Sequence, residues 1–273
     1  MRYSEDRLKH QPNPSPIQPD MLMLAYRSGI FPMADARDDP DVFWVEPKAR
    51  AILPLDGFHC SKSLARTLRR DTFTVTCDTA FDRVIAACAA PRKEEGETWI
   101  SHRIARTYSL LHQRGLAHSI ECWHHGQLVG GLYGVGFDRV FCGESMFSTM
   151  TDASKVALAW LVAALREARA ELLDCQIITG HLASLGAVEI PQAEYLRRLA
   201  KAQRDDRGEF LHSGPAGAAL ADGAGEGAAS AVALAAPPLA LPAAFAALLA
   251  RAKSAGFSSS PGKLIAQSLT QTS

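Results

Sequence analysis

Apolar and polar residues alternate in some stretches of the chain and recur at helical spacing in others. AILPL at 51–55 and FTVTC at 73–77 are predicted to be short strands, because side chains two residues apart share one face of a strand. SHRIARTYSLLHQRG is predicted to be a helix that starts at Ser101 and ends at Gly115. DASKVALAWLVAALREA is predicted to be a strongly apolar helix. Strands and helices are therefore interleaved along the chain.

The order of the predicted elements indicates an α+β or mixed α/β fold. HSIECWHHGQLVGGLYGV reads as two strands around a His-Gly turn, and RVFCGESMF reads as a third strand. The apolar helix follows, and ELLDCQIITGH at 171–181 begins as another strand. A central meander with helices on both sides is typical of a mixed sheet. The glycines of LVGGLYGV leave two interpretations open: close strand packing or a bulge, and close approach of a substrate.

The composition changes near residue 205, where Ala, Gly, Pro and Ser begin to dominate. We therefore expect a small N-terminal domain over 1–56, a catalytic domain over 57–204, and a low-complexity tail over 205–273 that is flexible or weakly helical. The apolar stretch at 231–250 is long enough to span a bilayer. Its three prolines and its many alanines argue against a membrane helix.

Charge and cysteine content narrow the classes of protein. The 273 residues contain 29 Lys plus Arg and 29 Asp plus Glu, so the net charge identifies no partner. Six cysteines are scattered without a CxxC or CxxxC spacing, which favours neither a zinc site nor a disulfide framework. The first twenty residues contain no apolar run and do not resemble a signal peptide. We therefore expect a cytoplasmic protein.

Three polar residues interrupt apolar strand patterns. Glu144 lies in FCGESMF, and Asp174 and Gln176 lie two residues apart in LLDCQ, which places their side chains on one face of the predicted strand. An unpaired buried carboxylate costs several kcal/mol, so such groups are usually paired or functional. The pattern allows two interpretations, a core hydrogen-bond network and an active site. The presence of all three residues favours an active site.

A basic segment lies between residues 48 and 70, where six cations face a single acid, Asp56. Two tryptophans, Trp44 and Trp99, lie in predicted loops instead of core patterns. Cations beside loop aromatics suit the end of a single-stranded nucleic acid, with phosphates on the cations and bases stacked on indole. A solvated helix face is the alternative. The cations are Lys48, Arg50, Lys62, Arg66, Arg69 and Arg70.

Common motifs for other catalytic mechanisms are missing from the sequence. A serine hydrolase is expected to carry GxSxG, and an ATP-dependent ligase is expected to carry GxxxxGK[ST]. Neither motif occurs, and the histidines are dispersed, with His124 and His125 at a predicted turn before Gly126. We therefore expect no metal and no cofactor.

The motifs of residues 20–200, taken in order, resemble the leucyl/phenylalanyl-tRNA–protein transferase family. Members of this family transfer Leu or Phe from aminoacyl-tRNA to proteins with N-terminal Arg or Lys, which marks those proteins for degradation in the bacterial cytoplasm. The resemblance implies a small N-terminal domain and a catalytic domain of acetyltransferase-like (GNAT) fold. The motifs are AYRSGIFPM, FWVEPKAR, LPLDGFHCSKSL, GETWIS, AHSIECW, LVGGLYGV, FCGESMFS, DASKVAL, LLDCQ and HLASLGAVEIP.

The resemblance also implies roles for individual residues. Glu144, Asp174 and Gln176 match the catalytic and substrate-positioning residues of the family, and Trp99 matches a tryptophan that packs against the terminal adenosine. Met33 stands where some relatives carry an aromatic residue that contacts the same adenosine. The implied partners are aminoacyl-tRNA and acceptor proteins. We expect the protein to be a monomer and to have no membrane partner.

Two further groups of residues match binding surfaces of the family. The amino-acid pocket is expected to be built from unbranched apolar side chains, and the tRNA acceptor stem is expected to bind the basic helix. The pocket residues are Leu132, Phe141, Met146 and Leu158, and the RNA-binding residues are Arg66, Arg69 and Arg70.

The chemistry of aminoacyl transfer fits these residues. An aminoacyl ester is already activated, so amide formation requires a neutral amine and neither ATP nor metal. An α-amino group titrates near pH 8, so a modest base or a hydrogen-bond acceptor is sufficient. Asp174 can orient the amine directly or through Gln176, and Gln176 can donate to the developing oxyanion.

Two other functions remain open at the level of sequence. An acetyl-CoA-dependent enzyme is expected to hold pyrophosphate with a [QR]xxGx[GA] turn, but the equivalent segment here reads STMTDASK. A non-enzymatic tRNA-binding protein is expected to use the basic segment while its carboxylates serve the core. An assay of amino-acid transfer from charged tRNA separates the second alternative from the transferase.

Overall fold

The computed structural model describes residues 15–91, 97–204 and 239–270. The strands are β1 (Phe31–Met33), β2 (Phe43–Val45), β3 (Ala49–Ile52), β4 (Thr74–Cys77), β5 (Ala117–His124), β6 (Gln127–Phe137), β7 (Val140–Ser148), β8 (Leu172–Gln176) and β9 (Val188–Pro191). The helices are α1 (Pro19–Arg27), α2 (Lys62–Arg69), α3 (Phe81–Cys88), α4 (His102–Gln113), α5 (Ala153–Glu167), α6 (Gly180–Ser184), α7 (Gln192–Ala202), α8 (Leu241–Ser254) and α9 (Gly262–Thr270).

A seven-stranded mixed sheet forms the centre of the molecule, with the strand order β4-β5-β6-β7-β8-β3-β9. All neighbours are antiparallel except β7 and β8, which run parallel over three residue pairs beginning at Val140 and Leu172. Parallel neighbours need a long crossover connection, and α5 provides it. The predicted mixed α/β fold is confirmed.

The two faces of the sheet pack against different helices. Consecutive residues such as Leu132 and Tyr133 belong to two separate apolar clusters, because successive strand residues point to opposite faces. One cluster contains buried residues of α2, α5, α8 and α9, and the other contains buried residues of α1, α3, α4 and α7. The sheet is therefore buried on both sides, which explains why its central strands are so apolar.

The glycines of β6 are explained by close packing. A Cβ atom at Gly130 would lie 2.4 Å from Ala153 Cβ, and a Cβ atom at Gly134 would lie 2.3 Å from the carbonyl oxygen of Cys142. Both separations are far below van der Waals contact, so no larger residue fits without movement of its neighbours. Of the two interpretations, the structure supports packing at these positions.

The N-terminal region contributes a strand to the large sheet. β3 pairs with β8 on one side and with β9 on the other, although residues 49–52 fall within the expected N-terminal domain. A separate sheet, formed by β1 and β2, pairs Met33 with Phe43. The chain therefore enters the main sheet at β3, before residue 56.

The C-terminal residues 239–270 contain two packed helices, α8 and α9; of the two alternatives expected for the tail, the helical one holds for these residues. Leu241, Phe245 and Leu248 are buried on one face of α8, and the ring of Phe245 lies 5.1 Å from that of Trp160 on α5. α5 is apolar around its circumference and needs cover on more than one side. Residues 205–238 of the expected tail lie outside the described residues. Among those described, no helix is both long and apolar enough to cross a bilayer.

Candidate active site

A cavity of about 740 Å³ opens where β7 and β8 separate. The two strands pair only from Val140 to Cys142 and from Leu172 to Asp174. Beyond these residues the strands diverge, and the space between them is lined by side chains from both strands and from α5 and α6. Its lining includes Phe31, Met33, Trp99, Leu132, Tyr133, Glu144, Met146, Leu158, Leu161, Leu173, Cys175, Gln176, Thr179, His181 and Leu182.

A bulge in β7 presents Glu144 to this cavity. Tyr133 of β6 pairs with Ser145, and the next residue, Gly134, pairs with Gly143. Glu144 is therefore the extra residue in the pairing of β6 with β7. Bulges interrupt the hydrogen-bond ladder and redirect side chains, and they are over-represented beside active sites.

A second bulge lies directly across the gap, in β8. Ile52 of β3 pairs with Asp174, and Ala51 pairs with Gln176, which leaves Cys175 as the extra residue. Gln176 has a positive φ of 55°, an unfavourable backbone conformation for a residue other than glycine. The strand predicted in ELLDCQIITGH is confirmed over Leu172–Gln176. It ends there in a sharp local distortion, and Ile177, which was expected to be buried in the same strand, is exposed.

The side chains of the two bulged segments meet. Gln176 Nε2 donates to Glu144 Oε1 at 2.9 Å, and Tyr108 Oη donates to Glu144 Oε2 at 2.9 Å. The hydroxyls of Tyr26 and Tyr108 lie 2.5 Å apart. Burial raises the pKa of Glu144 to about 7, although the hydrogen bonds from Tyr26 and Tyr108 act in the opposite direction. Glu144 can therefore exchange a proton at neutral pH.

Asp174 occupies a different environment, with no solvent exposure. Arg50 donates Nε to its Oδ1 at 2.9 Å and Nη2 to its Oδ2 at 2.6 Å. Tyr195 Oη donates to Oδ2 at 3.0 Å, and the backbone N–H of Gln176 donates to Oδ1 at 2.9 Å. Burial alone would lower the pKa of Arg50, but its hydrogen bonds to Asp174 and the charge of Asp174 raise that pKa above its usual value. Arg50 is therefore a cation beside Asp174.

The expected catalytic residues thus fall into two groups. Glu144 and Gln176 line the cavity, whereas Asp174 does not. With its oxygens occupied by Arg50, Tyr195 and the Gln176 backbone, Asp174 has no surface for direct contact with a substrate amine. Of the two routes considered from the sequence, only the one through Gln176 fits this geometry.

Three of the four expected pocket residues line the cavity, namely Leu132, Met146 and Leu158. Phe141 is fully buried and does not line it. A Cβ atom at Gly134 would lie 2.4 Å from the ring of Phe141, so this ring packs against the strand behind the cavity wall.

Trp99 and Met33 both line the cavity. Trp99 is half-buried in the loop before α4, as expected. Trp44 is 42% exposed and lies in β2, not in a loop. Pro32 of β1 pairs with Trp44, so this indole stands on the strand next to the one that carries Met33.

The basic segment is divided by the fold. Arg66, Arg69 and Arg70 are exposed on or directly after α2, whose buried face consists of Leu64, Ala65 and Leu68. Arg50, by contrast, is 1% exposed. Arg50 is therefore unavailable for nucleic acid, and its inclusion in an RNA-binding segment is wrong.

Sequence reasoning missed the side chains that hold the two carboxylates: Tyr26, Tyr108, Tyr195 and Arg50. A signal for the tyrosines was present, since each lies on the apolar face of an amphipathic helix, and a buried tyrosine hydroxyl usually needs a polar partner. For Arg50 the sequence offers a weaker signal, its position directly before the apolar run AIL.

Comparisons with protein families agree with the motifs. A family model described as leucyl/phenylalanyl-tRNA protein transferase matches residues 52–200, and a model of the N-terminal domain of that family matches residues 15–48.

Named relatives are similar over much of the chain. A leucyl/phenylalanyl-tRNA–protein transferase of Novosphingobium aromaticivorans is 66% identical over 261 residues, which are 95% of this chain and 98% of the relative. The protein of the same name from Rhizorhabdus wittichii is 58% identical over 67% of this chain and 74% of its own. That from Zymomonas mobilis is 55% identical over 68% of this chain and 69% of its own.

One solved structure shows a weaker similarity. L-PGS from Bacillus licheniformis is 13% identical, with a TM-score of 0.32 over 61% of this chain and 55% of that chain. A likeness at this level does not assign a fold.

Proposed function

Because the chain belongs to the leucyl/phenylalanyl-tRNA–protein transferase family and is an aminoacyltransferase, we propose that it transfers Leu or Phe from aminoacyl-tRNA to proteins. Met is a further candidate donor. The proposed acceptor is the α-amino group of proteins that begin with Arg or Lys, and the added residue marks them for degradation in the cytoplasm. The enzyme acts as a monomer without metal or cofactor in this proposal.

The observation that carries the proposal is a cavity that combines apolar lining with a pair of catalytic candidates. Leu132, Met146 and Leu158 line it, and so does the hydrogen-bonded pair of Glu144 and Gln176. An aminoacyl ester has the same division, with an apolar side chain next to a polar carbonyl. Binding the side chain in the cavity therefore brings the ester to the two polar groups.

The proposed reaction is direct aminolysis of the ester. The α-amino nitrogen of the acceptor attacks the ester carbonyl carbon, the new C–N bond forms, and the C–O bond to the terminal ribose breaks. The amine loses a proton and the ribose oxygen gains one, so the overall reaction is balanced. Gln176 Nε2 is the proposed donor to the carbonyl oxygen, whose negative charge grows in the transition state.

Glu144 is the proposed proton acceptor. Its pKa of about 7 lies close to that of an α-amino group, near 8. Transfer of a proton from the ammonium to Glu144 therefore costs only about 1–2 kcal/mol. Asp174 remains in the proposal as a positioning residue for Gln176, since it does not line the cavity.

The terminal nucleotide and the acceptor stem are assigned to separate surfaces. Trp99, on the cavity lining, is proposed to stack on the terminal adenosine. Arg66, Arg69 and Arg70, exposed near α2, are proposed to bind phosphates. Their joint replacement by Ala should weaken tRNA binding and reduce the slope of log affinity against log salt, by about 0.7–0.9 for each phosphate that is no longer neutralised. An unchanged slope would exclude this helix as the RNA surface.

The proposal includes a division of the chain into domains. Residues 57–204 are proposed to form a catalytic domain of acetyltransferase-like (GNAT) fold, with a small N-terminal domain over 1–56 and a C-terminal region over 205–273. Support comes from the antiparallel meander β4–β7, the crossover helix α5 and the parallel β8, whose divergence from β7 forms the cavity. The N-terminal region adds β3 to this sheet.

The test is a transfer assay with tRNA charged with radiolabelled Leu, Phe, Met, Ile or Val and a peptide that begins with Arg. The matched control peptide begins with Glu. We expect transfer of Leu and Phe to the Arg peptide only, and a rate for Ile about 10–200-fold lower, because a branched Cβ is excluded by packing alone. Equal transfer of Leu and Ile, or to both peptides, would contradict the proposed pocket or acceptor.

A further inference from the structure

Arg50 is a buried cation at the junction of three parts of the molecule. It lies on β3 with 1% exposure, and its guanidinium is placed between two rings, 4.8 Å from the centroid of Phe31 and 4.4 Å from that of Tyr195. Its Nη1 donates to the carbonyl oxygen of Gly29 at 2.8 Å. Its Nε and Nη2 hold both oxygens of Asp174. All three guanidinium nitrogens of Arg50 are therefore hydrogen-bonded, and two rings pack against it.

Asp174 connects Arg50 to the backbone of Gln176. The Oδ1 atom that accepts from Arg50 Nε also accepts from the backbone N–H of Gln176 at 2.9 Å. Gln176 needs such a bond, because its positive φ of 55° is unfavourable for a side-chain-bearing residue and persists only where neighbours impose it. The Gln176 amide then reaches Glu144 Oε1 at 2.9 Å. Hydrogen bonds on both sides of Gln176, one at its backbone and one at its side chain, thus connect Arg50 and Asp174 to Glu144 in the cavity lining.

The same guanidinium also fixes part of the cavity wall. Phe31, which stacks against Arg50, lines the cavity, and Gly29 lies two residues before it. Arg50 therefore holds the start of β1 and the end of β8 in one arrangement. A planar fork with several donors can do this, whereas the single ammonium of lysine cannot form the same bonds.

We propose that Arg50 is a positioning residue for aminoacyl transfer, which acts through Asp174 to hold the Gln176 amide in its catalytic position. This inference rests on the proposed function of Gln176. The alternative is that Arg50 only stabilises the fold as the partner of a buried carboxylate. The two roles make different predictions for a variant that lacks Gln176. If Arg50 positions Gln176, its substitution no longer affects kcat in that variant; if Arg50 only stabilises the fold, its effect does not depend on Gln176.

The experiment compares the parent, Arg50→Lys, Gln176→Ala and the double variant in transfer of Leu to an Arg-starting peptide. We expect Arg50→Lys to lower kcat about tenfold, with KM for leucyl-tRNA changed by less than about twofold, because small misplacement of a reacting group affects the chemical step. In the Gln176→Ala background, Arg50→Lys should cause no further loss of kcat.

Arg27→Lys is the matched control. Arg27 also binds a buried carboxylate, that of Asp138, at 2.5 Å and lies 4.9 Å from the ring centroid of Phe137, but neither carboxylate nor ring lines the cavity. This variant should lower the Tm and leave kcat unchanged. If Arg50→Lys behaves in the same way, Arg50 is purely structural and the inference is wrong.

The remaining outcomes also decide the question. Equal kcat losses from Arg50→Lys in both backgrounds would overturn the positioning role while leaving the proposed function intact. If Gln176→Ala transfers at the parent rate, the proposed function of Gln176 and the inference fail together. Should Arg50→Lys fail to fold, Tyr195→Phe removes one hydrogen bond from Asp174 and should lower kcat by about two- to fivefold, again only when Gln176 is present.

Discussion

Glu144 and Asp174 are carboxylates on neighbouring strands, yet they differ in access to the cavity and in the charge of their hydrogen-bond partners. Asp174 is fully buried and receives four hydrogen bonds, two of them from the cation Arg50. Glu144 lines the cavity and is bound by neutral groups, the amide of Gln176 and the phenol of Tyr108. One carboxylate is therefore paired with a guanidinium cation, and the other, without a cationic partner, has its pKa raised to about 7 by burial.

This difference separates positioning from proton transfer. A carboxylate saturated by a guanidinium cannot accept a proton from a substrate, but it can hold a neighbouring backbone in place. A carboxylate without a cationic partner remains protonatable near neutral pH. The two residues are therefore assigned different functions, although the sequence presents both as acids in apolar strands. Substitutions at one carboxylate at a time test whether the transfer rate, its pH dependence and the stability change separately.

Asp174→Ala should have the largest effect. The substitution leaves Arg50 buried without its partner, which should cost about 3–5 kcal/mol of the free energy of unfolding. The folded fraction should transfer Leu more slowly by about 10²-fold or more, since Gln176 loses its backbone anchor. Urea denaturation and the transfer rate measure the two quantities. Asp138→Ala, which removes the buried partner of Arg27, should lose stability without loss of rate. Parent-like transfer by a well-folded Asp174→Ala would contradict the assignment.

Glu144→Gln should change the rate and its pH dependence more than the stability. We expect transfer to fall by about 10²-fold, the range of a lost proton acceptor. In the parent, kcat should rise with pH through about 7, because Glu144 accepts a proton only after it has lost its own. This rise of kcat with pH, the acidic limb of the profile, should be missing from the variant. A parent-like limb in Glu144→Gln would assign the titration to another group.

The stability of the parent should also depend on Glu144. Burial raises its pKa in the folded state to about 7, whereas an unfolded Glu titrates near 4.3. The stability contributed by its protonated form is therefore complete below about pH 4 and is lost as the pH rises through about 7. The stability difference between Glu144→Gln and the parent should therefore shift in favour of the variant by about 3–4 kcal/mol between pH 4 and pH 8. An equal difference at both pH values would contradict the raised pKa.

The contrast between the carboxylates could be predicted from the sequence only in part. The alternation in LLDCQ identified β8 and its two polar residues, because strand periodicity is a local property. The bulges at Glu144 and Cys175 could not be predicted, since a bulge is defined by the register of the partner strand. Arg50 was grouped with exposed cations because its neighbours in sequence are basic, while its burial depends on Asp174, 124 residues away.

The C-terminal region shows the same limit at a larger scale. Its low-complexity composition left a flexible and a weakly helical tail as alternatives, whereas Leu241, Phe245 and Leu248 recur at helical spacing and form the buried face of α8. The spacing was visible in the sequence. The apolar surface of α5 that this face covers became apparent only from the packing.

Tyr108→Phe should have the smallest effect and gives the sharpest comparison. Its hydroxyl donates to Glu144 Oε2 at 2.9 Å, and this hydrogen bond lowers the pKa of Glu144 against the effect of burial. Without it, the pH at which kcat rises should increase, and the plateau of kcat at high pH should fall by less than about tenfold, because Tyr108 does not itself line the cavity. Tyr195→Phe makes the same deletion at Asp174, where a hydroxyl donates at 3.0 Å, and should lower kcat without moving the limb. A shift of the limb in Tyr195→Phe, or none in Tyr108→Phe, would show that the two carboxylates do not have separate functions.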